Sequence, residues 1–407
     1  MTHPGTETPA TEASSGLPAQ SDYDHLDPTL THAQVWEAYT EMRERCPVVR
    51  NERYGGHLQV LRYEGVRDVT GRADDFISGD GGFIPPSGLP PLVPIDYDGE
   101  EHAKWRAIMQ DPLSSTAVRD FTPTMEAVID EHIDAFARAG RAELFSQLAE
   151  PLPAHIVGSV MGLSGPDCRT LRRLGIAPFE AIGTSDFDKH YDALNEFVQR
   201  QVDQRRREPA DDFLTHLVTA EIDGAPLSDT DIRSALTALF IGGHHSTASA
   251  MAALIYHVLS VPGLREVVAA GGPRLTLLVE ESLRITTPVH IFARTASRDT
   301  RIGDIPVAAG TRLFVNFASA NHDPRRFEQS EQFNVDRKPN PHLAFGYGPH
   351  LCIGRYLARA ELKSTVTRLF SRLPDLELSA DIEYSLLHGG KLLQIEHLPV
   401  RFTPERG

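Results

Sequence analysis

Cysteine is scarce in this chain. Cys46, Cys168 and Cys352 are its only three in 407 residues. They are too few and too far apart for a disulfide framework, a four-cysteine zinc site or an iron–sulfur cluster. A reducing compartment fits such usage, so the expected location is cytoplasmic. Long apolar runs are missing too, since no segment reaches the ~18 uninterrupted apolar residues of a membrane span. The opening "MTHPGTETPATEASSGLPAQSD" has no apolar core. It reads as a disordered tail over residues 1–22 rather than a signal peptide or anchor. Positive charge is also short: 40 Lys and Arg stand against 56 Asp and Glu, a formal net charge of −16. That excludes nucleic acid or an anionic membrane surface as the expected main partner.

What is present is a globular composition, 41% hydrophobic and 24% charged. Neither a repeat nor a linker follows residue 22. Residues 23–407 therefore read as one large, mainly α domain with small β-sheets. The segment "SGDGGFIPPSGLPPLVPIDYDG" is dense in Gly and Pro, and a loop of that length is usually functional. Its apolar Phe83, Ile84, Leu89 and Leu92 suggest a lid over an apolar cavity. From about Glu100 the pattern turns helical. Ser228 caps a helix with Asp231 three residues on, and "VPG" at 261–263 stops it. The result is ~32 residues, or ~48 Å at 1.5 Å per residue.

Ten residues concentrate the chemistry. "FGYGPHLCIG" offers Phe345, Gly348, His350, Cys352 and Gly354 immediately before a helix. A cysteine near a helix N-terminus is stabilised as a thiolate, a soft ligand suited to iron. A nucleotide loop is excluded, because Leu351 stands where the third glycine of that fingerprint belongs. The stretch resembles the haem-binding loop of the cytochrome P450 superfamily, Phe-x-x-Gly-x-(Arg/His)-x-Cys-x-Gly, at each fixed position. The resemblance runs over roughly residues 23–403. It implies that family's single-domain fold, haem b (iron protoporphyrin IX) as cofactor, and Cys352 as the iron ligand.

Further residues fall into place on that resemblance. Glu281 and Arg284, three apart on one helix face, would form an ion pair completed by Arg337 of "FNVDR", bracing the loop behind the haem. His102 and Arg106 of "EHAKWR", Arg294 of "FAR" and His350 match positions that bind the haem propionates. In the long helix, Gly242 and Gly243 would keep the backbone close to the iron and permit a kink. His245 takes the place of the family's usual acid, and Ser246, followed by Thr247, that of its usual threonine.

The pair His245/Ser246 leaves alternatives open. It is a working proton relay with altered parts, or a poorly coupled relay that implies peroxide-driven or otherwise atypical oxidation. In a third reading a histidine only satisfies a contact with a neighbouring helix, and His244 suits that role better. Positions carried over from the family place Leu239, Val289, His290, Ile291, Leu387 and His388 at the substrate pocket beside the lid residues. The substrate is then a small hydrophobic organic molecule. The chain holds no flavin or ferredoxin module, so the family implies a separate ferredoxin and ferredoxin reductase drawing on NAD(P)H. Lys104, Arg106 and the arginines after the loop are candidates for the docking patch. The expected protein is a monomeric haem-thiolate monooxygenase with neither nucleic acid nor membrane as partner. Its class-different rival is a haem-binding protein without turnover.

Overall fold

The 32-residue helix forms as Asp229–Ser260, with the Ser228 side chain accepting from the Asp231 amide. It is buried on nearly every side from Ile232 to Val258, as a helix crossing the middle of a domain must be. In this computed structural model, residues 18–182, 184–387 and 390–406 are described. The helix runs unbroken through Gly242 and Gly243, so the interruption that two adjacent glycines permit does not occur. Around it pack Pro151–Val160, Gly272–Thr286 and the last helix, Arg355–Arg372. Met251, Leu254, Leu278, Val366 and Leu369 belong to the same apolar core.

A six-stranded sheet forms a second centre with its own apolar cluster. Its order is Ala19–Ser21, Val48–Asn51, His57–Val60, Arg312–Asn316, Ile291–Ala296 and Phe76–Ile77. The first strand corrects the sequence expectation: structure begins before residue 22, because Ala19–Ser21 pairs in parallel with Val49–Asn51. Alternation along Ile291–Ala296 has a direct consequence for the cavity described below. Ile291 and Ala293 face one way and cluster with Ile84 and Phe314. Phe292 and Arg294 face the other way, as the two-residue period of a strand dictates.

Among the described residues no single helix is long and apolar enough to cross a membrane.

Candidate active site

One cavity gathers most of the residues the sequence singles out. Its first wall is the cysteine loop, through Phe345, Gly346, His350, Cys352, Ile353 and Gly354. Backbone bonds fold this loop tightly: Gly346 N–H reaches Leu343 O at 2.9 Å, and Cys352 N–H reaches Phe345 O at 2.8 Å. Gly348 has φ of 78°, and a Cβ there would lie 2.3 Å from the Thr70 carbonyl oxygen. Gly348 therefore shapes the turn from behind and does not line the cavity. Gly354 is the opposite case, since a Cβ there would meet nothing within 4 Å. Cys352 stands just before the helix that begins at Arg355. Burial pushes its thiol up, while the Gly354 amide and the guanidinium groups of Arg106, Arg355 and Arg359 pull it down.

The second wall is the long helix, through Leu239, Gly242, Gly243, Ser246, Thr247 and Ala250. The two glycines do different work. A Cβ on Gly242 would enter open space, whereas one on Gly243 would lie 2.6 Å from Val157 Cγ2. Gly243 thus lets the helix Pro151–Val160 come close. Ser246 Oγ donates to the Gly242 carbonyl at 2.8 Å, which leaves its lone pairs to the cavity.

Neither histidine of "GGHHS" lines the cavity. The fully buried His244 puts Nε2 at 2.9 Å from the Glu150 carbonyl oxygen and 3.3 Å from Glu150 Oε1. His245 lies with its ring 6.0 Å from that of Phe179 and 4.4 Å from that of His244. Successive side chains point ~100° apart around a helix, so with Ser246 toward the cavity His245 turns aside. His245 therefore stands beside the cavity wall without lining it.

Along one edge lie four nitrogen-bearing groups. The rings of His102 and His350 sit 4.0 Å apart, and His350 Nε2 is 3.3 Å from Ser78 Oγ. Burial, with Arg294, His102 and Arg106 nearby, lowers His350 to about 3, so it is neutral at pH 7. Arg294 is pulled down to about 10 by burial, against the opposing pull of Asp98 and Asp96. Its one hydrogen bond among the described residues, at 2.7 Å, goes to the neighbouring Ala293 carbonyl. Arg106 donates to the Leu351 carbonyl. A guanidinium has five donors, so both arginines hold most of theirs in reserve. A flat group with two carboxylates and a thiolate-binding metal fits this donor set.

Behind the loop lies the brace. Glu281 and Arg284 are wholly buried and paired at 2.8 and 2.9 Å, and Arg337 Nε adds bonds of 3.1 and 3.2 Å. The Asn334 amide and Asn340 side chain supply the remaining donors to Glu281. Arg284 also donates to the Asn321 carbonyl, and Asn321 Oδ1 accepts from Leu343 N–H at the start of the loop. A second brace was not read from the sequence. Glu280 bridges Arg359 and His342, whose hydrogen bonds outweigh burial and hold it down to about 2.

The expected substrate pocket is only partly realised. Leu239 and Val289 line the cavity, but Phe83, Ile84, Leu89 and Leu92 do not. Ile84 is turned into the sheet, with its carbonyl bonded to His25. The Leu92 amide bonds Asp96, and Val93 is tied to Ser234 of the long helix. The loop reaches the cavity further on, through Pro94 and Ile95. Ile291 faces the sheet side by strand alternation, and His290 bonds Tyr39 and meets the Trp36 ring at a tilt of 54°. Leu387 pairs with Leu392 away from the cavity, and His388 lies outside the described residues. Sequence reasoning missed Phe292, Phe317 and Glu361. Glu361 is 1% exposed and its Oε1 has no partner among the described residues; burial raises its pKa well above the ordinary range. Its signal was an acid four residues from Leu357 and Thr365 on the buried face of the last helix.

Similarity to known proteins gives the family. The Cytochrome P450 family description matches residues 181–269 and 273–379. Steroid C26-monooxygenase of Mycobacterium tuberculosis is 32% identical over 375 residues, covering 90% of this chain and 93% of the relative. Cytochrome P450 105C1 of a Streptomyces species is 32% identical over 308 residues, covering 74% and 79%. The substrate-free structure of Mycobacterium marinum CYP150A6 superposes with a TM-score of 0.82 at 27% identity, covering 95% of this chain and 99% of that one. The chain belongs to the cytochrome P450 family. It is an oxidoreductase of the monooxygenase class, and its cofactor is haem, which this family holds through a cysteine thiolate.

Proposed function

We propose that the protein oxidises a small apolar organic substrate with dioxygen, one oxygen atom entering the substrate and the other leaving as water. When bound, haem supplies the redox-active iron at which dioxygen is reduced. Cys352 is the residue to ligate that iron, and His102, Arg106, Arg294 and His350 are those to hold the two propionates. The cavity-facing Ser246 hydroxyl passes protons at the distal side, with Thr247 beside it. His245 serves only through neighbouring groups. Leu239, Val289, Ala250 and Phe292 keep water out and make the pocket apolar. The observation that carries this reading is that Cys352, Gly242, Gly243, Ser246 and four cationic or imidazole groups line one cavity.

Two electrons per turnover come from a ferredoxin and its reductase, with NAD(P)H as donor. Of the candidates for the docking patch, the arginines after the loop are better suited than Lys104 and Arg106. Lys104 is tied to Glu100 and Asp223, each at 2.8 Å, and Arg106 turns into the cavity. Arg67 over the exposed Tyr347 and Arg355 over the exposed Tyr356 remain as basic and aromatic contacts for an acidic partner. The relatives bear names as different as steroid C26-monooxygenase and nocardicin C N-oxygenase, so the substrate is proposed as a class and not as a molecule. A monomer in the cytoplasm, with neither nucleic acid nor membrane as partner, completes the reading.

The test is the absorption spectrum of the reduced protein under carbon monoxide. A thiolate-type Soret band that Cys352→Ser abolishes is the expected result. Absence of that band in the parent protein overturns the reading and favours a haem-binding protein without turnover.

A further inference from the structure

Lys391 stands at the start of the strand Leu392–His397, 6% exposed. Its ammonium lies 3.3 Å from the centre of the Phe83 ring and 4.0 Å from that of Phe292. Gly82 makes room for this arrangement: a Cβ there would fall 2.3 Å from Phe292 and 2.9 Å from Lys391 Nζ. Among the described residues no carboxylate comes within 4.0 Å of Nζ, and no hydrogen bond takes any of its three protons. Lysines are almost never buried unless paired, because a desolvated charge with no acceptor is costly. Two aromatic faces offset part of that cost.

The other charges in this corner do not complete the account. Asp96, the acid whose charge acts on Lys391, accepts from the Leu92 amide, and burial raises its pKa. Arg312 is spent on the carbonyls of Asp80, Gly81 and Phe83. Arg294 and Arg312 add positive charge nearby, and burial together with them lowers the Lys391 pKa well below its ordinary value, so the amine holds its proton best when an acid comes against it. Phe292 and Arg294 both line the cavity, which places the ammonium directly behind its wall and beside the loop that borders it.

We propose that Lys391 receives a carboxylate at the wall of the cavity, brought by the substrate or by the haem itself. The count of donors favours the substrate. His102, Arg106, Arg294 and His350 already face the cavity as four groups for two propionates, so the propionates have their donors without Lys391, which sits behind the wall formed by Phe292 and Arg294. The preferred substrate is then an apolar skeleton ending in an acid. The inference rests on the reading of the cavity as the haem and substrate site.

The test uses the haem-loaded protein and its Lys391→Met and Lys391→Arg variants. Ferric spin-state titrations compare dodecanoate with dodecan-1-ol, and a polycyclic carboxylic acid with its alcohol. A second arm measures the rate at which haem transfers to excess apomyoglobin. The substrate source predicts that the parent prefers at least one acid over its alcohol by about tenfold, equivalent to one charge-assisted bond. Lys391→Met would erase that preference, Lys391→Arg would restore most of it, and haem transfer would be unchanged. The propionate source predicts faster haem loss in Lys391→Met, with any acid preference intact. Equal binding of acids and alcohols together with unchanged haem transfer overturns the proposal and leaves the two rings as the full explanation of Lys391. The carbon monoxide spectrum of each sample keeps that outcome separate from a failure of the haem-site reading, which would remove the thiolate band in the parent as well.

Discussion

Two walls flank the cysteine loop, and both bury ionisable groups, but in opposite ways. Behind the loop, Glu281 receives bonds from Arg284, Arg337, Asn334 and Asn340, and Glu280 is gripped by Arg359 and His342. Facing the cavity, Arg294 spends one donor of five and Glu361 Oε1 has no partner among the described residues, while behind the cavity wall the Lys391 amine rests on two rings. A buried charge that is fully satisfied belongs to the scaffold. One left open toward a cavity marks where a ligand completes the account.

The largest effect that would test the contrast is on the closed side. Glu281→Ala strands Arg284 and Arg337 without their acceptor, and losing one partner of a buried pair costs about 3–5 kcal/mol. The expected outcome is poor haem incorporation and a Tm far below the parent's by circular dichroism. A variant that folds and loads haem normally would show that the brace is dispensable.

Glu361 gives the next effect. Its folded pKa is raised, so folding favours the protonated acid. That contribution is complete below the unfolded value of about 4.3 and is lost as pH rises toward the folded value. Glu361→Gln removes the loss, and its stability gain over the parent should grow with pH by at most about 1.4 kcal/mol per unit. Thermal melts from about pH 5 to about pH 8 measure this. Parallel pH profiles would mean the carboxylate finds a partner when haem is bound.

The smallest effect on stability, and the most selective, is expected at Ser246. Its hydroxyl donates only to its own helix at Gly242, so Ser246→Ala should leave the unfolding free energy within about 0.5 kcal/mol of the parent's. The reducing equivalents should instead go to peroxide while substrate still binds. Peroxide yield per reduced cofactor is the readout, and unchanged coupling would remove Ser246 from the proton path.

Much of this was legible in the residues. The long helix, its Ser228 cap and its stop needed only local pattern, because capping and periodicity act within a few residues. The cysteine loop and the Glu281–Arg284–Arg337 cluster carry fixed spacings. Other features depend on partners remote in sequence. Whether Gly243 serves the cavity or Val157 cannot be read without the neighbouring helix. Phe83 and Ile84 looked like lid residues because they are apolar in a long loop, yet a bond from His25 to Ile84 turns that stretch into the sheet.

The sequence by itself determined the class of the protein, the loop that presents Cys352 and the helix that crosses the domain. The class rests on the resemblance carried by the cysteine loop and its companion motifs, and the helix on short-range rules of capping and periodicity. Only the tertiary structure decided which way His245 turns, which glycine opens to the cavity and why Phe292 rather than Ile291 lines it. It alone set Lys391 against two rings. Those outcomes follow from helix rotation, strand alternation and packing between segments tens to hundreds of residues apart, and no local pattern encodes them.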